Sequence, residues 1–253
     1  MGGALLAGWL EQGVKAGDVV IVDPHFAGGK PAGLRIFERP EQLPADFLPD
    51  IILLAVKPQM MDQALPAYAK FQDSIFLSIA AGRTIASIEK LLGAKAKIVR
   101  AMPNTPAAVR RGVAALLANA NVPQAGRDLC ETLMAAVGQV GWIRNEDEMD
   151  AVTALSGSGP AYVFLMVEAL AAAGVEMGLE PVLAETLARA TVIGSGELLH
   201  RSPLSAAVLR ENVTSPNGTT FAALQVLSGE SGLADLMKRA TAAAAKRAKE
   251  LAN

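Results

Sequence analysis

An alternation in the first 145 residues constrains the fold most. Short apolar runs rich in β-branched side chains recur at 19–22, 51–56, 74–79 and 97–100. Each stops at a turn or breaker pair: Asp23-Pro24, Lys57-Pro58, Ala81-Gly82 and Met102-Pro103. Between them lie helical apolar patterns, over 59–70 and 84–92. Near-continuous apolar strands are buried on both faces, and strands alternating with helices predict a parallel sheet covered on each side. Such sheets bind ligands outside the carboxyl ends of their strands. The loops after residues 22, 56, 79 and 100 are therefore expected to share one edge, which is the expected site.

After about Asn145 the strand-like runs cease. Helical patterns follow at 146–155, 161–177, 181–200, 203–211, 219–227 and 233–251, bounded by Gly178, Pro181, Pro203, Pro216 and Ser228-Gly229. The expected fold class is α/β: a doubly wound Rossmann-type parallel sheet over 1–145, then an all-helical domain over 146–253.

Composition narrows the function. The charge is balanced, with 23 basic and 25 acidic side chains, and only 4% of residues are aromatic. Neither a basic footprint nor base-stacking rings are present, so nucleic acid is not an expected partner. Cys130 is the single cysteine, and His25 and His200 lie far apart. No internal disulfide and no metal site are expected, and a reducing cytoplasm fits. The longest apolar stretch, 161–175, is interrupted by Glu168 and falls short of the ~20 residues needed to span a bilayer, so no membrane is expected.

The start is unusual. A dinucleotide-binding fold opens with a strand, then G-x-G-x-x-G, then a helix. This sequence begins in the helical pattern, at Met1-Gly2-Gly3-Ala4-Leu5-Leu6, and Asp23 ends the next strand-like run 21 positions after Gly2. That spacing is close to the ~20 residues between a phosphate-binding turn and a ribose-binding carboxylate. Gly2 then reads as the last glycine of a fingerprint whose strand and first glycines are absent. A carboxylate at Asp23 favours a ribose 2′-hydroxyl, as in NADH, over a 2′-phosphate.

No hydrolase elbow, P-loop or zinc-binding motif occurs, so an enzyme of this sequence would rely on a cofactor for the difficult step. Cys130 lies in a helical pattern and reads as a small buried apolar residue. Three loops are cofactor candidates. Val56, Lys57, Pro58 and Gln59 follow a buried run, Ala80-Ala81-Gly82 allows a backbone to approach a ligand, and two prolines stiffen the loop carrying Asn104. The richest segment is Glu211-Asn212-Val213-Thr214-Ser215-Pro216-Asn217-Gly218-Thr219-Thr220. It feeds a helix whose first amides and hydroxyls suit a carboxylate or phosphate. Capping alone would explain one threonine, but not the whole run.

Together these residues resemble the pyrroline-5-carboxylate reductase family along essentially the whole chain. The strongest markers are Asp150-Ala151-Val152-Thr153-Ala154-Leu155-Ser156-Gly157-Ser158-Gly159-Pro160-Ala161-Tyr162 and the segment from Asn212 to Thr220. Ala55-Val56-Lys57-Pro58 and Arg100-Ala101-Met102-Pro103-Asn104-Thr105-Pro106 agree in order and spacing. The resemblance implies hydride transfer from NADPH or NADH to 1-pyrroline-5-carboxylate, giving L-proline in the last step of proline biosynthesis. It also implies a helical dimerisation domain, with possible higher homo-oligomers. By the family pattern Asn212, Ser215, Gly218, Thr219 and Thr220 hold the substrate. The amides of Gly218 and Thr219 would meet its carboxylate, and the Thr220 hydroxyl its ring nitrogen. Gly2, Asp23, Val56, Lys57, Pro58, Gln59, Ala80, Ala81, Gly82 and Asn104 would line the cofactor.

Two rival readings stand beside this one. Another two-domain Rossmann reductase of imines or hydroxy acids would typically carry a lysine on the first helix after the junction, and no lysine occurs between Arg144 and Arg201. A truncated, inactive paralogue or proline-binding oligomer would keep the helical domain without turnover.

Overall fold

The computed structural model describes residues 1–26, 29 and 31–252. They form two compact units, one from Met1–Ser158 together with the chain from Ala244, the other Gly159–Ala243.

Among the described residues the first unit holds seven strands. β1 (Val20–Val22) and β2 (Arg35–Phe37) pair in parallel as a separate two-stranded piece. The main sheet runs β3 (Ile51–Leu54), β4 (Ile75–Ser78), β5 (Lys97–Pro103), β6 (Gly112–Ala118) and β7 (Gly138–Trp142), in that order. β3, β4 and β5 are mutually parallel, with Ile51 opposite Ile75 and Ile75 opposite Lys97. Between and around these strands lie α1 (Gly2–Glu11), α2 (Met61–Ala64), α3 (Ile85–Leu92) and α4 (Gln124–Ala135).

The period-2 alternation of the strands sorts their side chains onto two buried faces. Ile75, Leu77 and Val99 join Leu5, Leu116, Cys130 and Met134 in one cluster. Phe76 and Ile98 join Leu54, Met61, Ile88 and Leu92 in the other. Both faces are covered, as the uninterrupted apolar runs predicted.

Several sequence expectations need correction. The sheet is not wholly parallel: β6 runs antiparallel to β5, with Ala101 opposite Leu116. β6 is built mainly of Ala and Leu, with Val113 its single β-branched residue, so it lacks the strand signature. β2 and β7 were also not anticipated. The helix expected over 59–70 is broken into a 3₁₀ turn at Pro58–Met60, the single turn of α2 and a second 3₁₀ turn at Leu65–Tyr68. Pro58 and Pro66 have no N–H to continue a helical ladder.

Among the described residues β1 and β3 share no ladder. Val20 and Val22 of β1 nevertheless pack on the same cluster as Ile52 of β3. The helix α1 docks beside α4: the Trp9 indole donates to the Leu133 carbonyl at 2.7 Å, and a Cβ on Gly8 would come within 2.8 Å of Val137.

The break expected at 156–160 takes the form of a π-helical turn and a bend at Ser158 rather than a loop. A 30-residue helix spans Asp147–Glu176. It comprises α5 (Asp147–Val152), a π-helical turn at Thr153–Gly157 and α6 (Gly159–Glu176). The wider turn closes through the Ser158 N–H on the Thr153 carbonyl at 2.8 Å. Pro160 lies in the first turn of α6, where its missing N–H interrupts no hydrogen bond within α6 itself.

α7 (Pro181–Arg201), α8 (Ala206–Asn212), α9 (Thr219–Leu227) and α10 (Leu233–Ala252) follow. α6 and α7 meet closely, since a Cβ on Gly174 would lie 3.1 Å from that of Ala184. By length and composition the 147–176 helix could cross a membrane, and only 6% of its most apolar window is buried within one chain. Phe164, Leu165 and Leu170 of α6 and Val182, Leu187 and Ile193 of α7 are exposed. The apolar stretch read from the sequence as too short is thus part of a longer helix.

Candidate active site

The parallel run of β3, β4 and β5 brings three of the expected cofactor loops to one sheet edge. Val56, Lys57 and Gln59 are exposed beyond β3, with Lys57 preceding the 3₁₀ turn that Pro58 opens. Ala80 is buried, Ala81 exposed, and Gly82 takes a left-handed conformation (φ 73°) that suits glycine. The Ala80 N–H reaches the Ser78 hydroxyl at 3.4 Å.

Gly2 joins this edge from another direction. It opens α1, and a Cβ there would stand 3.2 Å from the Ala55 Cβ, so the helix start abuts the loop after β3. No side chain caps α1. The amides of Gly2, Gly3 and Ala4 precede the first intrahelical bond, from the Leu5 N–H to the Met1 carbonyl. A bare helix start of this kind favours a diphosphate.

Asp23 follows β1 in the separate two-stranded piece. Its N–H donates to the Phe37 carbonyl at 2.9 Å, and its carboxylate accepts the His25 N–H at 2.9 Å. The second carboxylate oxygen is the one suited to a ribose hydroxyl.

Asn104 follows β5 and is half-buried, with its amide engaged by the protein. Its Nδ2 donates to the Ser156 carbonyl at 3.2 Å, and its Oδ1 accepts the Val113 N–H at 2.9 Å.

The expected substrate segment lies in the second unit. Asn212 ends α8 and is exposed, as are Ser215 and Thr219, while Gly218 and Thr220 are half-buried. Asn217 adopts φ 57°, one of two described non-glycine residues in the left-handed region; asparagine tolerates that conformation better than most. The turn closes when the Gly218 N–H donates to the Ser215 carbonyl at 3.1 Å. The Gly218 amide expected to face a ligand is therefore committed to the turn. What requires glycine is space, because a Cβ there would fall 2.4 Å from Ser215 Oγ. Gly218 then caps α9 with no side-chain bond. The amides of Thr219, Thr220 and Phe221 precede the first intrahelical bond, from the Ala222 N–H to the Gly218 carbonyl, and a helix start with a threonine in its first turn suits a small carboxylate next to a polar ring atom.

The sequence reading missed the residues that brace these loops. Arg100, buried in β5, forms an ion pair with Glu146, whose other oxygen accepts the Ile85 N–H at 2.6 Å. Arg83 pairs with Asp62, tying the loop after β4 to α2, and its Nε is buried without a partner among the described residues. Arg100 could have been suspected as a charge inside a strand; the others carried no signal. No cluster of three or more His, Cys, Asp or Glu able to hold a metal occurs among the described residues. Cys130 is fully buried, as expected, and burial pushes its thiol up to about 12.

Comparison with known proteins gives a consistent picture. Residues 146–251 match the family described as pyrroline-5-carboxylate reductase dimerisation. The chain is 40% identical to the pyrroline-5-carboxylate reductase of Pseudomonas aeruginosa, over all of this chain and 93% of that protein. It is 37% identical to that of Haemophilus influenzae, over 91% of this chain and 86% of the relative. Among solved structures, a pyrroline-5-carboxylate reductase from Coxiella burnetii superposes with a TM-score of 0.91 at 36% identity, over 99% of this chain and 94% of that one. The Plasmodium falciparum pyrroline carboxylate reductase with NADP bound gives 0.81 at 31% identity, over 100% and 95%.

Proposed function

The chain belongs to the pyrroline-5-carboxylate reductase family, and from that premise we propose that it reduces 1-pyrroline-5-carboxylate to L-proline with NADH or NADPH. The observation that carries the proposal is the start of α9, where three uncapped amides and Thr220 follow a turn in which a Cβ at position 218 would crowd the Ser215 hydroxyl. A cyclic imine bearing a carboxylate needs an anion site and a polar group at its nitrogen. The amides from Thr219 onward supply the first and Thr220 the second. Ser215 shapes the turn, and Asn212 stands at its entry.

The nicotinamide cofactor supplies the hydride when bound. The chain's part is to hold it: Gly2 and the α1 amides for the diphosphate, Asp23 for the ribose, and the Val56–Gln59 and Ala80–Gly82 loops along the sheet edge. A protonated imine is already a good hydride acceptor, so Thr220 orients the nitrogen rather than supplying a strong acid. Asp23 favours the 2′-hydroxyl of NADH.

The exposed apolar faces of α6 and α7 pair with a second copy of the chain, as the matched dimerisation family implies. That pairing gives the apolar 147–176 helix a protein partner in place of lipid. A cytoplasmic location suits a single buried thiol.

The test follows NADH and NADPH oxidation with 1-pyrroline-5-carboxylate, together with L-proline formation. Turnover with either cofactor supports the proposal. Proline binding without turnover would favour a non-catalytic oligomer. An NADPH kcat/KM more than tenfold above that for NADH would remove Asp23 from cofactor selection.

A further inference from the structure

The π-helical turn at Thr153–Gly157 and the loop after β5 fit together at two points. A Cβ on Gly157 would stand 2.6 Å from the terminal methyl of Met102, so a larger residue there would push that flexible side chain aside. Two residues on, Asn104 Nδ2 donates to the Ser156 carbonyl at 3.2 Å. In the α-helical register, one residue tighter than the π register of this turn, that carbonyl would accept the N–H four residues later. The residue there is Pro160, which has no N–H.

We infer that Asn104 and Pro160 act as a matched pair: proline removes the helical donor to Ser156, and the asparagine side chain replaces it, locking the loop after β5 to the helix. Asn104 is then a positioning residue for the cofactor edge rather than a cofactor ligand. Both ends of its amide agree with this. Its carbonyl oxygen takes the Val113 N–H at the start of β6, while its NH₂ takes the helix carbonyl. One side chain thus spans two strands' ends and a helix. π-turns within α-helices often accompany functional sites, and here the turn presents a carbonyl to the loop. The inference rests on the reductase reading for what the lock serves, but not for the lock itself.

The test is a double-mutant cycle on the full chain, with Asn104→Ala, Pro160→Ala and the double variant, plus Asn104→Asp. The aspartate keeps an acceptor for Val113 but sets a carboxylate against the Ser156 carbonyl. Both Asn104 variants should lower the melting temperature and raise the cofactor KM about tenfold, with a smaller change in kcat. In the Pro160→Ala background the new N–H serves Ser156, so the Asn104→Ala loss should shrink at least by half, in melting temperature and in KM alike.

Additive losses would overturn the pairing and return Asn104 to direct cofactor contact. A shared melting-temperature effect with an unchanged cofactor KM would overturn the positioning role. Should the unmodified chain not turn over 1-pyrroline-5-carboxylate, the reductase reading fails. The melting-temperature cycle and cofactor-binding titrations still decide the lock and its role.

Discussion

Arg100 and Glu146 are joined by an ion pair that also holds a helix start. Arg100 is only 6% exposed, one Glu146 oxygen meets its guanidinium, and the other takes the Ile85 N–H at the beginning of α3. β5, α3 and the start of the long helix are thus fastened by one carboxylate. Arg100 is buried but the Glu146 side chain is 34% exposed, so removing Glu146 leaves a charge that water partly reaches, a loss of about 1–2 kcal/mol, between the exposed and the buried case. Glu146→Ala should therefore destabilise the first unit by about that much in urea unfolding. Replacing both partners, as Arg100→Met with Glu146→Leu, should cost less than the single change. A single variant with wild-type stability would show that water already compensates Arg100.

The turn ahead of α9 makes a sharper test of the substrate site. Gly218 has φ −79°, which any residue can adopt, so its requirement is the 2.4 Å approach of Ser215 Oγ to a would-be Cβ. Gly218→Ala should raise the KM for 1-pyrroline-5-carboxylate about tenfold or more and leave the cofactor KM unchanged. Adding Ser215→Ala removes the colliding oxygen and should recover part of the loss. No recovery would mean that glycine serves something other than this contact.

The strands that the sequence revealed were the β-branched ones, and their alternation sorts Phe76 and Ile98 to one face and Leu77 and Val99 to the other. β6, an alanine–leucine strand, carried no such signal, because its antiparallel partner β5 and not its composition makes it a strand. Among site residues, the loops were legible because turn chemistry marks them. The commitments of individual atoms were not. The Gly218 N–H goes to Ser215 and the Asn104 amide to Ser156 and Val113, and such pairings depend on tertiary approach. The same holds for Glu146, whose partners lie 46 and 61 positions away.

Thr220 is the one hydroxyl in the first turn of α9 that is half-buried, Thr219 being exposed. If it orients the imine nitrogen, Thr220→Ala should lower kcat about 100-fold, within the range for a positioned proton-handling group. The cofactor dissociation constant should stay the same, and Thr220→Ser should retain most activity by keeping the oxygen. Steady-state kinetics paired with cofactor fluorescence titration separates these terms. Near-wild-type turnover of the alanine variant would take Thr220 out of the mechanism.

Cys130 offers a prediction about pH. It is fully buried in the cluster with Leu77, Val99 and Met134, and burial, which disfavours the thiolate, raises its pKa from an ordinary 9.0 to about 12. Below the ordinary value both folded and unfolded chains keep the proton, so the thiol's full contribution is present there. As pH climbs, the unfolded chain ionises first and the folded chain does not, so stability is lost progressively toward about 12. The slope approaches about 1.4 kcal/mol per pH unit above the ordinary value. Urea unfolding of the wild type and Cys130→Ala at several alkaline pH values isolates this contribution, since the alanine has nothing to titrate. The wild type's advantage over the variant should shrink by roughly 1 kcal/mol for each unit above the thiol's ordinary range. A difference independent of pH would mean that the thiol ionises as readily in the folded chain as in the unfolded one.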